Sequence, residues 1–405
     1  MKNLLVAQSG GPTTAINATL AGVLHGARQS GKVGTVYGGL HGIQGILQQK
    51  LVNLSAAFAT EEELQRLKVT PAAILGSCRY KLPTPQADEA VYKAIVEILQ
   101  ANNIGVFVYI GGNDSMDTVA KLSAYFKQNK VDIAVMGAPK TIDNDLCETD
   151  HTPGFGSAAK YVAFTFAELV RDCHVYPVAS VTVVEVMGRD AGWLTASAAL
   201  ANVADKGPDF ICLPEHPFNE EAFLQKLAAP LQQHRPVVVA VSEGIKTATG
   251  AYVGEQSANA TDAFGHKQLA GVGQYLEKRI KERYGCKVRS VQLNLMQRCA
   301  AHLASATDLN EAFELGSTAA LAGAQGTTGQ MACIQRLSNT PYTVSYQTTP
   351  VEKVANQVKH VPKEWITPDG SGVTQEMIDY LLPLVQGHVE PVMENGLPSY
   401  APLFY

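Results

Sequence analysis

Within nine residues, Gly137-Ala-Pro-Lys-Thr-Ile-Asp-Asn-Asp145, the chain gathers a lysine, a threonine, an asparagine and two aspartates. Lys140 beside Asp143 and Asp145 could bind a phosphate and a cation and still supply a carboxylate base. A capped turn reads much the same, because Asp and Asn are common turn formers. Position favours chemistry. The stretch follows a short apolar run ending at Met136, of the kind that makes a buried parallel strand, and Pro139 then takes the chain out of the sheet. In open α/β sheets, ligands bind beyond the carboxyl ends of strands.

Several other strand ends carry matching residues. Ser9-Gly-Gly-Pro-Thr-Thr14 separates the first apolar run from a helix predicted over 15–29, so Gly11 can bring backbone close to an anion. This is neither a P-loop nor a G-x-G-x-x-G turn. Gly111-Gly112 precedes Asn113 and Asp114: the glycines admit a phosphate and the polar pair could hold a hydrated metal, or Asp114 and Ser115 simply cap the next helix. Met187-Gly188-Arg189 leaves another strand, and an arginine there suits an oxygen-rich ligand unless it pairs with Asp190 or Glu185. Glu243 could accept bonds from sugar hydroxyls, and Arg289 and Arg298, flanking the last strand, would suit a phosphate dianion.

The elements that must position these residues alternate. Strands are expected at 4–8, 34–37, 72–75, 106–110 and 133–136, then at 180–186, 209–213, 237–242 and 288–293. Helices are expected between them, for example at 88–101, 115–127 and 269–284. Such βαβ alternation implies parallel sheets with helices on both faces. With 405 residues, 46% hydrophobic and 17% charged, the chain has room for two or three domains. A break is expected near 150–155, and the proline-rich tail after about 340 should wrap over the body with a helix near 374–382. A net charge of −5 without a basic run argues against a nucleic-acid surface. The N-terminus reads as no signal peptide, and no apolar run has the length of a membrane span. Seven scattered cysteines and ten histidines form no ligand pattern, so free thiols in the cytoplasm are expected, and no zinc site.

Taken together, Ser9-Gly-Gly, Gly111-Gly-Asn-Asp-Ser, Pro139-Lys-Thr-Ile-Asp-Asn-Asp and Met187-Gly-Arg resemble the phosphofructokinase family over roughly residues 1–335. The resemblance implies an α/β protein with two Rossmann-like parallel-sheet domains, the active site in the cleft between them, and a C-terminal extension. The implied domains are a donor-binding part (1–155 and 296–340), a sugar-phosphate part (156–295) and an extension (341–405). It implies magnesium-dependent phosphoryl transfer to the 1-hydroxyl of fructose 6-phosphate. By motif position Asp143 would be the base and Asp145, with Asn113, would serve the metal. Thr141, Ile142, Met187, Gly188, Arg189, Glu243 and Leu295 would line the sugar site. Arg298 would bind the 6-phosphate, together with Arg289 donated across a homodimer with a shared site. Gly11, Arg79, Gly112, Asp114 and Lys140 would face the donor, and Lys140 and Asp114 would join Asp143 in the catalytic set.

Two positions bear on the donor. ATP-using members resemble G-G-D-G-S and P-G-T-I-D-N-D, with glycine where this chain has Asp114 and Lys140. A carboxylate at 114 fills space and repels the α-phosphate of a nucleotide, while Lys140 offers a cation to a departing phosphate. This is the pattern of the pyrophosphate-dependent branch, and it implies a readily reversible reaction. An ATP-dependent enzyme and a non-catalytic sugar-phosphate-binding subunit are the alternatives, and sedoheptulose 7-phosphate is an alternative acceptor. The chain departs from the family pattern at Asn113, usually aspartate, at Leu295, often His or Tyr, and at Ser180, an arginine in ATP-using bacterial members.

Overall fold

The computed structural model of the chain describes residues 1–254 and 271–405. In chain order its main strands are β1 (Lys2–Gln8), β2 (Val33–Gly39), β3 (Leu51–Asn53), β4 (Ile104–Gly111), β5 (Ala134–Pro139) and β6 (Ser180–Val186). There follow β7 (Phe210–Cys212), β8 (Pro236–Ser242), β9 (Lys287–Gln292), β10 (Gln330–Asn339) and β11 (Tyr342–Pro350). Among the described residues these make a seven-stranded sheet ordered β11-β10-β5-β4-β1-β2-β3 and a four-stranded sheet ordered β7-β8-β6-β9. The smaller sheet is all parallel, and the larger is parallel from β10 to β2 with β11 and β3 antiparallel at its edges.

Helices cover both faces of the large sheet, which is why β1 reads as a continuous apolar run. Leu4 and Val6 pack with residues of the Ile16–Ser30 and Ala306–Ala324 helices, whereas Leu5 and Ala7 pack with Ile95 and Val119 of the helices on the other face. The first pair of helices meets backbone to backbone. A Cβ on Gly22 would stand 1.9 Å from the Phe313 carbonyl oxygen, and one on Gly316 2.0 Å from that of Thr19.

Two expectations need correction. Residues 72–75 are a buried bend, not a strand: Ala72 has φ +65°, Leu75 N–H donates to Gln8 Oε1 at 3.1 Å, and the Ile74 carbonyl accepts from Phe404. The run is apolar because it is core, and side chains take its N–H groups while backbone N–H groups from elsewhere take its carbonyls. The chain after 340 begins as sheet, since 342–350 pair antiparallel with β10 and form its edge. The helix expected at 374–382 forms at Gln375–Leu381. That expected at 269–284 forms at Val272–Tyr284, with Leu269 and Ala270 outside the described residues.

A buried ionic cluster fixes the loop after β5 to the hairpin of β10 and β11. His151 stands between Asp150 (2.7 Å) and Glu311 (2.5 Å), and Arg336 reaches the same Asp150 oxygen at 2.8 and 3.0 Å. Burial opposes a charge on His151, but Glu311 and Asp150 outweigh it and raise its pKa to about 9. No helix of the described residues is long and apolar enough to cross a membrane.

Candidate active site

The strand ends of both sheets open on one cavity of about 430 Å³. From the large sheet come Gly11 after β1, Gly112, Asn113 and Asp114 after β4, and Lys140, Thr141, Asp143 and Asp145 after β5; Arg79 joins them from a loop. From the small sheet come Arg189 after β6 and Glu243 after β8. Most of the expected residues are thus brought together.

Local hydrogen bonds set each side chain. Lys140 N–H donates to the Gly111 carbonyl at 3.0 Å, which holds the chain leaving β5 against the end of β4. Its ammonium, only 3% exposed, donates to the Gly11 carbonyl at 2.6 Å. Thr141 Oγ1 donates to Asp143 Oδ2 at 3.2 Å and accepts from Asp143 N–H at 3.1 Å, a local turn that orients the carboxylate. Glu243 Oε1 accepts from Gly188 N–H at 3.3 Å, and a Cβ on Gly244 would lie 1.8 Å from the Arg189 carbonyl oxygen, so the two strand ends lock together. Arg189 Nε is buried without a protein partner, which disfavours the surface pairing weighed from the sequence.

Burial dominates the electrostatics. It pulls the Lys140 ammonium down to about 8 against the attraction of Asp143. It raises the Asp143 carboxyl, opposed by the Thr141 hydroxyl and Lys140. Burial and then Asp143 push Asp145 up to about 7, and burial lifts Glu243 to about 7 against the Gly188 N–H. A desolvated lysine next to desolvated carboxylates is a site prepared for added anionic and cationic charge.

Other residues fall elsewhere than expected. Asn113 lines the cavity and also uses its amide to hold the tail, accepting from Asn356 N–H at 2.5 Å and donating to the Gln357 carbonyl. The helix after β4 starts at Asn113 with Gly112 as N-cap, so Asp114 and Ser115 are not its caps. Ile142 is core, 7% exposed. Met187 offers its N–H to Gln297 Oε1 at 3.2 Å and lies outside the cavity lining, as does Gly188. Arg298 lies outside the cavity lining beside Gly11, its Nη1 2.9 Å from where a Cβ on Gly11 would be. Arg289 and Leu295 are exposed, Leu295 by 57%. Sequence reasoning missed Tyr80, Thr118, Asp190, Asn356 and Val358 in the lining, and the buried Gln297 behind it.

Two coupled α/β lobes, with a buried lysine and acidic groups at the strand ends between them, define a phosphoryl-transfer type of site. The phosphofructokinase family model matches residues 3–322, and the chain belongs to that family. It is 41% identical over 405 residues to a protein of Xanthomonas campestris named pyrophosphate–fructose 6-phosphate 1-phosphotransferase, covering 99% of this chain and 96% of that one. A protein of the same name from Halomonas elongata is 38% identical at the same coverage. The crystal structure of a pyrophosphate-dependent phosphofructokinase from Nitrosospira multiformis superposes with a TM-score of 0.89 at 36% identity, over 100% of this chain and 96% of that one.

Proposed function

We infer that the chain catalyses reversible phosphoryl transfer from inorganic pyrophosphate to the 1-hydroxyl of fructose 6-phosphate. The observation that carries this reading is the buried Lys140 ammonium, facing the cavity beside Gly11 and across from Asp143. It occupies a position where the ATP-using pattern has glycine, and it is matched to a phosphate that gains charge as it leaves. Asp143 accepts the proton of the 1-hydroxyl. The sugar oxygen forms a bond to the nearer phosphorus, that phosphorus breaks its bond to the bridging oxygen, and phosphate departs towards Lys140. Arg189, Thr141 and Glu243 hold the sugar, while Gly11, Arg79, Gly112 and Asp114 face the donor.

The residues present fit magnesium. Among the described residues no three His, Cys, Asp or Glu side chains form a metal cluster. Magnesium needs only one or two carboxylates when phosphate oxygens and water complete its shell, and Asp145 beside Asp143 offers them. When bound, the ion neutralises charge on the phosphate oxygens. Residues 1–155 and 296–340 serve the donor and 156–295 the sugar. Arg289 is exposed and does not line its own chain's cavity, which supports a homodimer in which it completes a neighbour's 6-phosphate site. Seven unpaired cysteines fit a cytoplasmic location.

The reverse direction tests the reading. Fructose 1,6-bisphosphate and phosphate, with magnesium, should yield pyrophosphate and fructose 6-phosphate. Absence of pyrophosphate in that reaction, from protein that turns over with ATP, would refute it.

A further inference from the structure

Residues beyond 322, outside the span of the family model, return to the cleft. After β11 the chain runs alongside the site to Val361, and Lys359 is its central anchor. Its N–H donates to the Asp145 carbonyl at 2.8 Å and its carbonyl accepts from Trp193 Nε1 at 2.8 Å, so one residue joins both lobes. Its ammonium turns inward and donates to Asn144 Oδ1 (3.4 Å), the Thr149 carbonyl (3.1 Å) and the Asp150 carbonyl (2.8 Å). Three donors meet three acceptors.

Asn144 lies between Asp143 and Asp145, fully buried and in the left-handed region at φ +53°. Besides Lys359, its Oδ1 accepts from Thr152 N–H at 3.1 Å. Its amide NH₂ donates to Tyr380 Oη at 2.8 Å, and that hydroxyl donates to the Asp150 carbonyl at 2.6 Å. The middle residue is thus gripped from the protein side, while its two neighbours line the cavity.

We propose that Lys359 and Tyr380 are positioning residues for the reaction, fixing Asn144 and through it aiming Asp143 and Asp145 into the cavity. The inference rests on the roles given to those two aspartates above. A left-handed residue held by its side chain fixes the backbone on either side. Freeing it lets both carboxylates drift, and a misplacement of about 1 Å costs roughly a hundredfold in rate. The C-terminal part of the chain is therefore a working part of the site.

The test compares Lys359→Met with Glu215→Gln. Glu215 anchors the same segment through Val361 N–H at 3.0 Å, and no hydrogen bond joins it to Asn144. Pyrophosphate turnover by the wild-type protein is measured alongside; its absence would overturn the proposed function and not this inference. Lys359→Met should lower kcat by about thirtyfold or more, while equilibrium titration finds fructose 6-phosphate binding within about threefold of wild type and Glu215→Gln keeps its kcat. A kcat within about threefold of wild type, or a kcat loss matched by an equal loss of sugar binding, overturns the inference. Should Lys359→Met not fold, Tyr380→Phe carries the test: kcat should fall by about fivefold or more at unchanged sugar affinity, and an unchanged kcat overturns it.

Discussion

Lys140→Met should make the free protein more stable and less active. In the folded chain the ammonium is held at about 8 against an ordinary 10.5, chiefly by burial. At roughly 1.4 kcal/mol per pH unit, keeping it charged at pH 7 costs the fold ~3 kcal/mol. Methionine fills the same space without the charge. It forgoes the bond to the Gly11 carbonyl, which contributes about 1 kcal/mol, while the attraction of Asp143 is already contained in the value of about 8. The net gain is on the order of 2 kcal/mol, or a few degrees in melting temperature. The sign follows from linkage: between about 8 and 10.5 the unfolded chain binds the extra proton, so the wild-type protein recovers stability as pH rises through that window and the advantage of the variant closes. Activity moves the other way, because a charge-assisted bond to the donor contributes about 1.5–3 kcal/mol, equivalent to a loss of roughly 10- to 150-fold in kcat/KM for pyrophosphate. Thermal melts at pH 7 and 10 and steady-state kinetics read both effects. A variant that is less stable at pH 7 and keeps kcat/KM within about threefold would refute the reasoning.

Asp143→Asn should lower kcat by about 10²–10⁴ while fructose 6-phosphate still binds, as read by initial rates and equilibrium titration. Co-expressed Arg289→Ala and Asp143→Asn chains should recover about a quarter of wild-type activity, since a random mixture gives half heterodimers, each with one complete shared site. No recovery would place Arg289 in its own chain's site. His151, held at about 9 by Glu311 and Asp150, lends stability that is fully present below about pH 6.5 and lost as pH rises through 9. The stability gap between wild type and His151→Gln in denaturant melts should therefore be widest near pH 6 and close towards pH 9.5.

The strand ends were legible because a fully buried parallel strand is a short apolar run, and a glycine or proline marks where it stops. That signal marks Gly11, Gly112, Lys140, Arg189 and Glu243 in the sequence itself. It misled at 72–75, where an apolar run is a core bend whose backbone is satisfied by Gln8 and Phe404. β3 has only three residues and no alternation to betray it, and β11, the edge strand that follows Pro341, is half exposed. That Asn113 also holds the tail was not legible, because its partners are backbone groups more than two hundred positions away. Lys359 looks like any surface lysine in sequence, since nothing local records that three acceptors from 144–150 await it.

The central claim is that the donor pocket is fitted to two linked phosphates and closed to a nucleotide. Initial rates of the wild-type protein, with fructose 6-phosphate and magnesium fixed and either pyrophosphate or ATP as donor, address it most directly. Rapid turnover with pyrophosphate and a rate at least about a hundredfold lower with ATP is the expected result. Turnover with ATP and none with pyrophosphate would contradict the account.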